Sequence, residues 1–270
     1  MTNRNTSADI APRRALVTGG GSGLGYGIAA ALLELGSQVA IADSSQANLE
    51  KAAASLASPR LLSIHMDVTS KVSAFAGIER CATEFGGLDT LVNSAGIFYL
   101  GKFDEIAEPD WDRMIDVNLK GVFLCCQAAA PWLRQGGRGR IVNISSDAGQ
   151  KAYPMISSYC ASKFGALGFS QAIAGELAPY GVTVNCVCPS GITSTVMGQQ
   201  VLGALVERTG KAAEELLAVR AQSVPLGRLA EVEDVVNAVL FFLSDRSAFI
   251  TAEALIVDGG MLGTGTVPGL

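Results

Sequence analysis

Charge is scarce in this sequence, and so are the residues that build metal sites. Only 17% of the 270 residues are charged, histidine occurs once and tryptophan twice. Twenty basic residues against twenty-five acidic ones leave a net charge of −5. That balance supplies neither the electrostatic footprint of nucleic-acid binding nor a polybasic run for anionic membranes. The six cysteines form no C-x-x-C pair, and His65 cannot complete a Cys/His metal site with them. Reduced, mostly buried thiols in a cytosolic protein fit that usage. No stretch reaches roughly eighteen consecutive apolar residues, so no membrane span is expected. The opening MTNRNTSADIAPRR is polar and lacks the apolar core of a signal peptide. A soluble, cytoplasmic protein with no metal, nucleic-acid or membrane partner is expected.

What is present is apolar and rhythmic. The hydrophobic fraction is 49%, enough for a substantial core. Seven short β-branched runs recur at 15–19, 38–43, 60–68, 90–96, 140–146, 182–190 and 253–260. Their cores are nearly continuous apolar runs, the pattern of strands covered on both faces. Helix-like stretches lie between them, including a long one from about Glu108 to Arg134. Strand and helix alternating in this way predict an α/β fold: a doubly wound parallel sheet, of Rossmann type, with helices on both faces. No linker or repeat divides the chain, so residues 1–270 are expected to form a single domain, with a flexible N-terminus over 1–12. Residues 193–223 interrupt the rhythm after a strand's carboxyl end. They form either a substrate lid or an extra packing layer.

The first strand runs into TGGGSGLGYG, residues 18–27. A strict G-x-G-x-x-G spacing fails here, and T-G-x-x-x-G-x-G fits. Gly19, Gly23 and Gly25 leave room for a sharp turn and for a diphosphate to approach the backbone, while a helix starting near Leu24 would aim free N–H groups at it. Asp43 ends the second strand, where a carboxylate can accept both ribose hydroxyls of an adenosine. It would repel a 2′-phosphate, which predicts NAD over NADP. Asp67 and Val68 close the third strand beside the expected adenine. Asn93-Ser94-Ala95-Gly96 follows the fourth with side chains small enough for close approach.

SSYCASKFGALGFS, residues 157–170, carries one phenol and one cation, Tyr159 and Lys163. At i and i+4 on a helix they share a face. A free tyrosine has a pKa of about 10, so proton transfer near neutrality asks for roughly three units, about 4 kcal/mol. A cation about 5 Å away supplies on the order of 3 kcal/mol at an effective dielectric of 20. An oxidised nicotinamide, also cationic, could supply the rest. Ser146 ends the fifth strand, where its hydroxyl can hydrogen-bond a carbonyl or alkoxide oxygen. Asn118 is a polar residue in an apolar helical stretch, serving either the site or a helix-internal hydrogen bond.

Together these motifs resemble the short-chain dehydrogenase/reductase family, in order, from Thr18 to the VDGG at 257–260. The resemblance implies an NAD-dependent oxidoreductase moving hydride between nicotinamide and a secondary alcohol or ketone. It implies Ser146, Tyr159, Lys163 and Asn118 as catalytic residues. Tyr159 would be the acid/base, Lys163 would lower its pKa and bind the nicotinamide ribose, and Asn118 would hold a water relaying protons through Lys163. The expected cofactor-binding set is Gly19, Ser22, Gly23, Leu24, Gly25, Asp43, Asp67, Val68, Asn93, Ala95, Gly96, Tyr159, Lys163, Pro189, Ile192 and Ser194. The resemblance also implies a homotetramer or dimer packed through the long helices, with Ala161, Gly165, Ala166 and Gly168 permitting close approach. The chain departs from the family in having Ser94 for the usual Asn and Ser190 between Pro189 and Gly191. Two other readings stand beside this one, an NAD-dependent epimerase or dehydratase and a non-catalytic NAD-binding regulatory protein. Expected substrate-pocket walls are Phe98, Tyr99, residues 147–156 and Met197.

Overall fold

The structure is a computed structural model and describes residues 13–264. The expected flexible N-terminus over 1–12 lies outside the described residues. All seven expected strands form: β1 (Arg14–Thr18), β2 (Gln38–Asp43), β3 (Leu61–His65), β4 (Thr90–Asn93), β5 (Arg140–Ile144), β6 (Thr183–Pro189) and β7 (Ala254–Val257). Every pairing is parallel, in the order β3-β2-β1-β4-β5-β6-β7. The fold is the predicted doubly wound Rossmann-type sheet. Most strands stop a few residues short of the apolar runs that predict them, because the ends of those runs turn away to build the carboxyl-terminal rim.

Successive residues of β1 feed opposite cores, as strand geometry requires. Leu16 joins Ile78, Cys81, Leu124 and Ala174 on the face covered by α3 (Lys71–Phe85), α5 (Gly121–Leu133) and α6 (Ser157–Leu177). Ala15 and Val17 join Ile28, Leu32, Val239 and Phe242 on the other face. That face is covered by α1 (Gly23–Glu34), α2 (Gln46–Leu56) and α9 (Val232–Leu243). A sheet with two covered faces needs apolar residues at every position, which explains why the strands read as continuous runs.

The expected long helix at 108–134 is interrupted. It divides into α4 (Glu108–Ile115), a π-helical turn at Asp116–Lys120, and α5. The wider turn brings Asn118 inward, where it is 1% exposed. Such single π-turns recur at functional sites because they re-aim side chains without ending a helix. After β6 come α7 (Val196–Thr209) and α8 (Ala213–Gln222), neither with a fully buried residue. Among the described residues, no helix is long and apolar enough to cross a membrane.

The chain winds from β1 outward to β3, then returns to lay β4 against β1. Strand order reverses at that junction, and ligands of open α/β sheets bind in the crevice beyond it.

Candidate active site

A cleft of about 770 Å³ opens there, over the carboxyl ends of β1, β4, β5 and β6. Its floor at β1 is backbone. Gly19 holds φ +64°, and a Cβ on it would come within 2.8 Å of Ala95 Cα. A Cβ on Gly25 would strike the Gly19 carbonyl. Thr18, which sequence reasoning gave no role, clamps the turn to β4. Its Oγ1 accepts hydrogen bonds from the amides of Ser94 and Ala95, each 3.1 Å away. Helix α1 then begins at Gly23 with no side-chain cap on Ser22 and no acidic residue in its first turn. The first-turn amides are therefore free for an anion, and Ser22, Gly23, Leu24 and Gly25 line the cleft. This cradle fits the diphosphate of a dinucleotide.

Asp43 stands at the end of β2. Its carboxylate accepts from Gly21 N at 3.2 Å and Ser45 N at 2.9 Å. Those bonds fix its rotamer and leave lone pairs toward the cleft. Its neighbours in the wall, Ser44 and Asn48, are uncharged, and Asp67, Val68, Ala95 and Gly96 continue that wall. The residues therefore fit an adenosine with free ribose hydroxyls.

At the other end, Ser146, Tyr159 and Lys163 meet on one wall and are 6%, 9% and 5% exposed. Helix α6 places Tyr159 and Lys163 on its inward face, and β5 ends two residues before Ser146. Ser146 Oγ donates to Asp147 Oδ1 at 2.8 Å and accepts from Ala148 N at 3.1 Å. Asp147 Oδ2 accepts the Tyr153 hydroxyl at 3.2 Å. Lys163 Nζ donates to the Ile144 carbonyl at 2.9 Å and lies 5.5 Å from the Tyr159 ring centroid.

Burial sets the electrostatics of this wall. Burial dominates at Tyr159 and pushes its phenol up to about 12, opposed by a hydrogen-bonding interaction with Ser146 and reinforced by the charge of Asp147. Lys163 is not among the leading influences on it. The ammonium gives a hydrogen bond to the Ile144 carbonyl. Burial in turn pulls Lys163 down to about 8.

Three predicted site residues do not line the cleft. Asn93 turns into the sheet, donating to Asn143 Oδ1 at 2.8 Å and Cys126 Sγ at 3.3 Å. Four-residue β4 alternates its side chains, and this position faces the interior. Asn118 lies one layer behind the wall. Its Oδ1 accepts from Ile97 N at 2.9 Å, and its Nδ2 donates to Ile97 O at 3.0 Å and Ser162 Oγ at 3.1 Å. It thus props the loop after β4. A Cβ on Gly96 would lie 3.4 Å from Asn118 Oδ1 and 3.8 Å from Lys163 Nζ, so Gly96, itself on the cleft, packs close to both. Ser194 also faces elsewhere; its neighbour Thr195 lines the cleft and caps α7, accepting from Gly198 N at 3.0 Å.

Of the remaining predictions at this end, Pro189, Ile192, Phe98, Asp147, Ala148, Tyr153, Ile156 and Met197 line the cleft, whereas Tyr99 and residues 149–152, 154 and 155 do not. Ser190 extends the β6–β7 ladder by donating to Val257 O at 3.1 Å. Met197, Val201 and Leu205 form an i, i+4, i+8 stripe of α7 over the opening. Arg220 of α8 also reaches the cleft, a residue sequence reasoning missed because nothing local distinguishes it from a solvated helix charge. On α6, Ala166 is buried, and Gly165 is part-exposed with Leu119 close enough to meet a Cβ placed on it. Ala161 and Gly168 do lie outward, beside exposed Phe164.

Comparison with known proteins follows from this geometry. Residues 13–204 match the family described as short chain dehydrogenase. A 2-(S)-hydroxypropyl-CoM dehydrogenase from Xanthobacter autotrophicus is 38% identical over 97% of this chain and 99% of its own. An L-2,3-butanediol dehydrogenase from Corynebacterium glutamicum is 37% identical over 92% of this chain and 98% of its own. Among solved structures, sorbitol-6-phosphate 2-dehydrogenase from Erwinia amylovora superposes with a TM-score of 0.87 at 32% identity, covering 92% of this chain and 99% of that one.

Proposed function

We propose, since the chain belongs to the short chain dehydrogenase family, that this oxidoreductase moves hydride between NAD(H) and a secondary alcohol or its ketone. Tyr159 is the proton donor and acceptor in that reading. The observation that carries it is the meeting of Ser146, Tyr159 and Lys163 on one buried wall of a cleft whose far end is a diphosphate cradle and Asp43.

Gly19 to Gly25 bind the diphosphate through backbone amides, and Asp43 takes the adenosine ribose hydroxyls. A 2′-phosphate about 4 Å from the Asp43 carboxylate would cost on the order of 4 kcal/mol at an effective dielectric of 20, which favours NAD over NADP. Bound there, the dinucleotide supplies the hydride acceptor or donor and, when oxidised, a positive charge beside Tyr159.

The protein's own groups handle the proton. Ser146 hydrogen-bonds the substrate oxygen and holds it against the Tyr159 hydroxyl. As an alcohol becomes a carbonyl, Tyr159 accepts its proton; in the reverse direction the phenol returns it. The phenol at about 12 must fall to serve near neutrality. Lys163 contributes positive charge and a donor for the nicotinamide ribose. Asn118 acts through Ile97 and Ser162, keeping the loop after β4 and the α6 face in place.

Residues 193–223, with α7 and α8, act as the lid of what we take to be one catalytic domain. Six buried free thiols suit the reducing cytoplasm. The exposed α6 stripe of Ala161, Phe164 and Gly168 supports association into a homotetramer, which light scattering would test.

The direct experiment follows NADH absorbance with a panel of secondary alcohols. Turnover with NAD, lost in Tyr159→Phe, is expected. Turnover that survives this substitution unchanged sinks the mechanism.

A further inference from the structure

We propose that Arg220 recognises an oxyanion carried by the substrate, so that the alcohol processed in this cleft is a hydroxyalkyl carboxylate or phosphate. The inference rests on the oxidoreductase reading and specifies its substrate class.

Arg220 projects from α8 into the cleft and lies against Gly191, two residues beyond the end of β6. It is half-buried, and its guanidinium makes no hydrogen bond or ion pair with any described residue. A guanidinium carries five donors in a fixed fork and no acceptor, so such a group is poised for a planar, two-oxygen partner.

Among the described residues, none supplies that partner. Asp147 is occupied by Ser146 Oγ, Ala148 N and the Tyr153 hydroxyl. Asp258 is occupied by Gly260 N at 2.8 Å and Leu262 N at 2.7 Å. Both carboxylates are committed to their own loops and do not reach the guanidinium within ion-pair distance. Tyr153, which bonds Asp147 beside Ser146, registers the positive charge of Arg220, so the cation stands at the substrate end and not at the adenosine end.

The cleft that Arg220 shares with the hydroxyls also has apolar lining: Phe98, Ile156, Met197, Val201 and Leu205. A short hydrocarbon separating an alcohol carbon from an anionic head would satisfy both ends. A neutral alcohol would leave the guanidinium with water as its only acceptor among the described groups. Because Arg220 lies on α8 and the hydroxyls lie on β5 and α6, such a substrate would also bridge the lid to the sheet.

The test uses two matched pairs: 3-hydroxybutyrate with its methyl ester, and glycerol 1-phosphate with glycerol. Calorimetric binding to Tyr159→Phe protein saturated with NAD reads recognition without turnover. At least one charged member is expected to bind about ten- to a hundredfold more tightly than its neutral partner. Adding Arg220→Met should erase that preference while leaving the neutral partner's affinity unchanged, and Arg220→Lys should restore part of it. The pair with the larger preference identifies the oxyanion. No preference in either pair, no binding by any charged member, or a preference that survives Arg220→Met overturns the proposal. NADH formation by the wild-type protein is the separate arm. Charged probes held through Arg220 yet never oxidised would count against the oxidoreductase reading and not against this site.

Discussion

Lys163 lies against the ring of Tyr159, 5.5 Å from its centroid, and gives its hydrogen bond to the Ile144 carbonyl at 2.9 Å. Both residues are buried, and burial disfavours the charged form of each. It drives the phenol up to about 12 and the ammonium down to about 8. The pair is therefore held in a state closer to neutral–neutral than an i, i+4 ion pair on a solvated helix would be. Charge brought into the cleft consequently has a large effect on Tyr159.

The first prediction concerns pH and rate. Alcohol oxidation needs Tyr159 deprotonated, and its pKa is raised, so kcat/KM for oxidation should climb with pH by close to tenfold per unit across neutrality. Ketone reduction, which needs the protonated phenol, should stay flat across neutrality and fall only as pH nears that raised pKa. Tyr159→Phe should lose roughly a hundred- to ten-thousandfold in rate. A flat profile for wild-type oxidation, measured at saturating cofactor, contradicts the assignment.

Stability should respond to Lys163 in a defined window. Its folded pKa, about 8, lies below the ordinary 10.5. Below about pH 8 both states are protonated, and the native state bears the cost of the buried charge, on the order of 3 kcal/mol. Between those two values the unfolded chain binds a proton that the native chain lacks, so native stability rises with pH. Lys163→Met removes the charge but strands the Ile144 carbonyl, which costs about 1–3 kcal/mol. Urea unfolding should show the wild type gaining on this variant as pH rises from about 8 to about 10. An unchanged gap would mean that Lys163 is not desolvated as described.

Cofactor choice should turn on Asp43. Asp43→Asn keeps an acceptor for Gly21 N or Ser45 N while removing the charge. Its preference for NAD over NADP should shrink by roughly a hundredfold, within the Coulomb limit for charges about 4 Å apart. Titration of both dinucleotides, followed by fluorescence, reads this directly. A preference that does not move assigns the discrimination to another group.

Asn118→Ala should act on the fold before the chemistry. It strands both backbone groups of Ile97, which Asn118 holds at 2.9 and 3.0 Å. A loss of about 2–3 kcal/mol in unfolding free energy is expected, with weaker cofactor binding through the displaced Gly96 loop. Full stability combined with a lost proton-transfer step would instead favour the water-holding role that family resemblance suggests.

The sequence alone determined the parallel sheet and the glycine turn, because these are written in local terms. Seven apolar runs must lie between two covered faces, and a T-G-x-x-x-G-x-G turn between a strand and a helix permits only one kind of backbone approach. The i, i+4 spacing likewise put Tyr159 and Lys163 on one helix face. Tertiary structure decided where side chains at element boundaries point. Asn93 entered the interior through the alternation of a four-residue strand, and Asn118 was re-aimed by a π-turn that no periodicity announces. Ala166 was claimed by packing against its own chain. Arg220 gained its place because α8 brings a surface-like charge against Gly191, just beyond β6. Such contacts join residues remote in sequence, and their energies come from burial and from which partners are already taken.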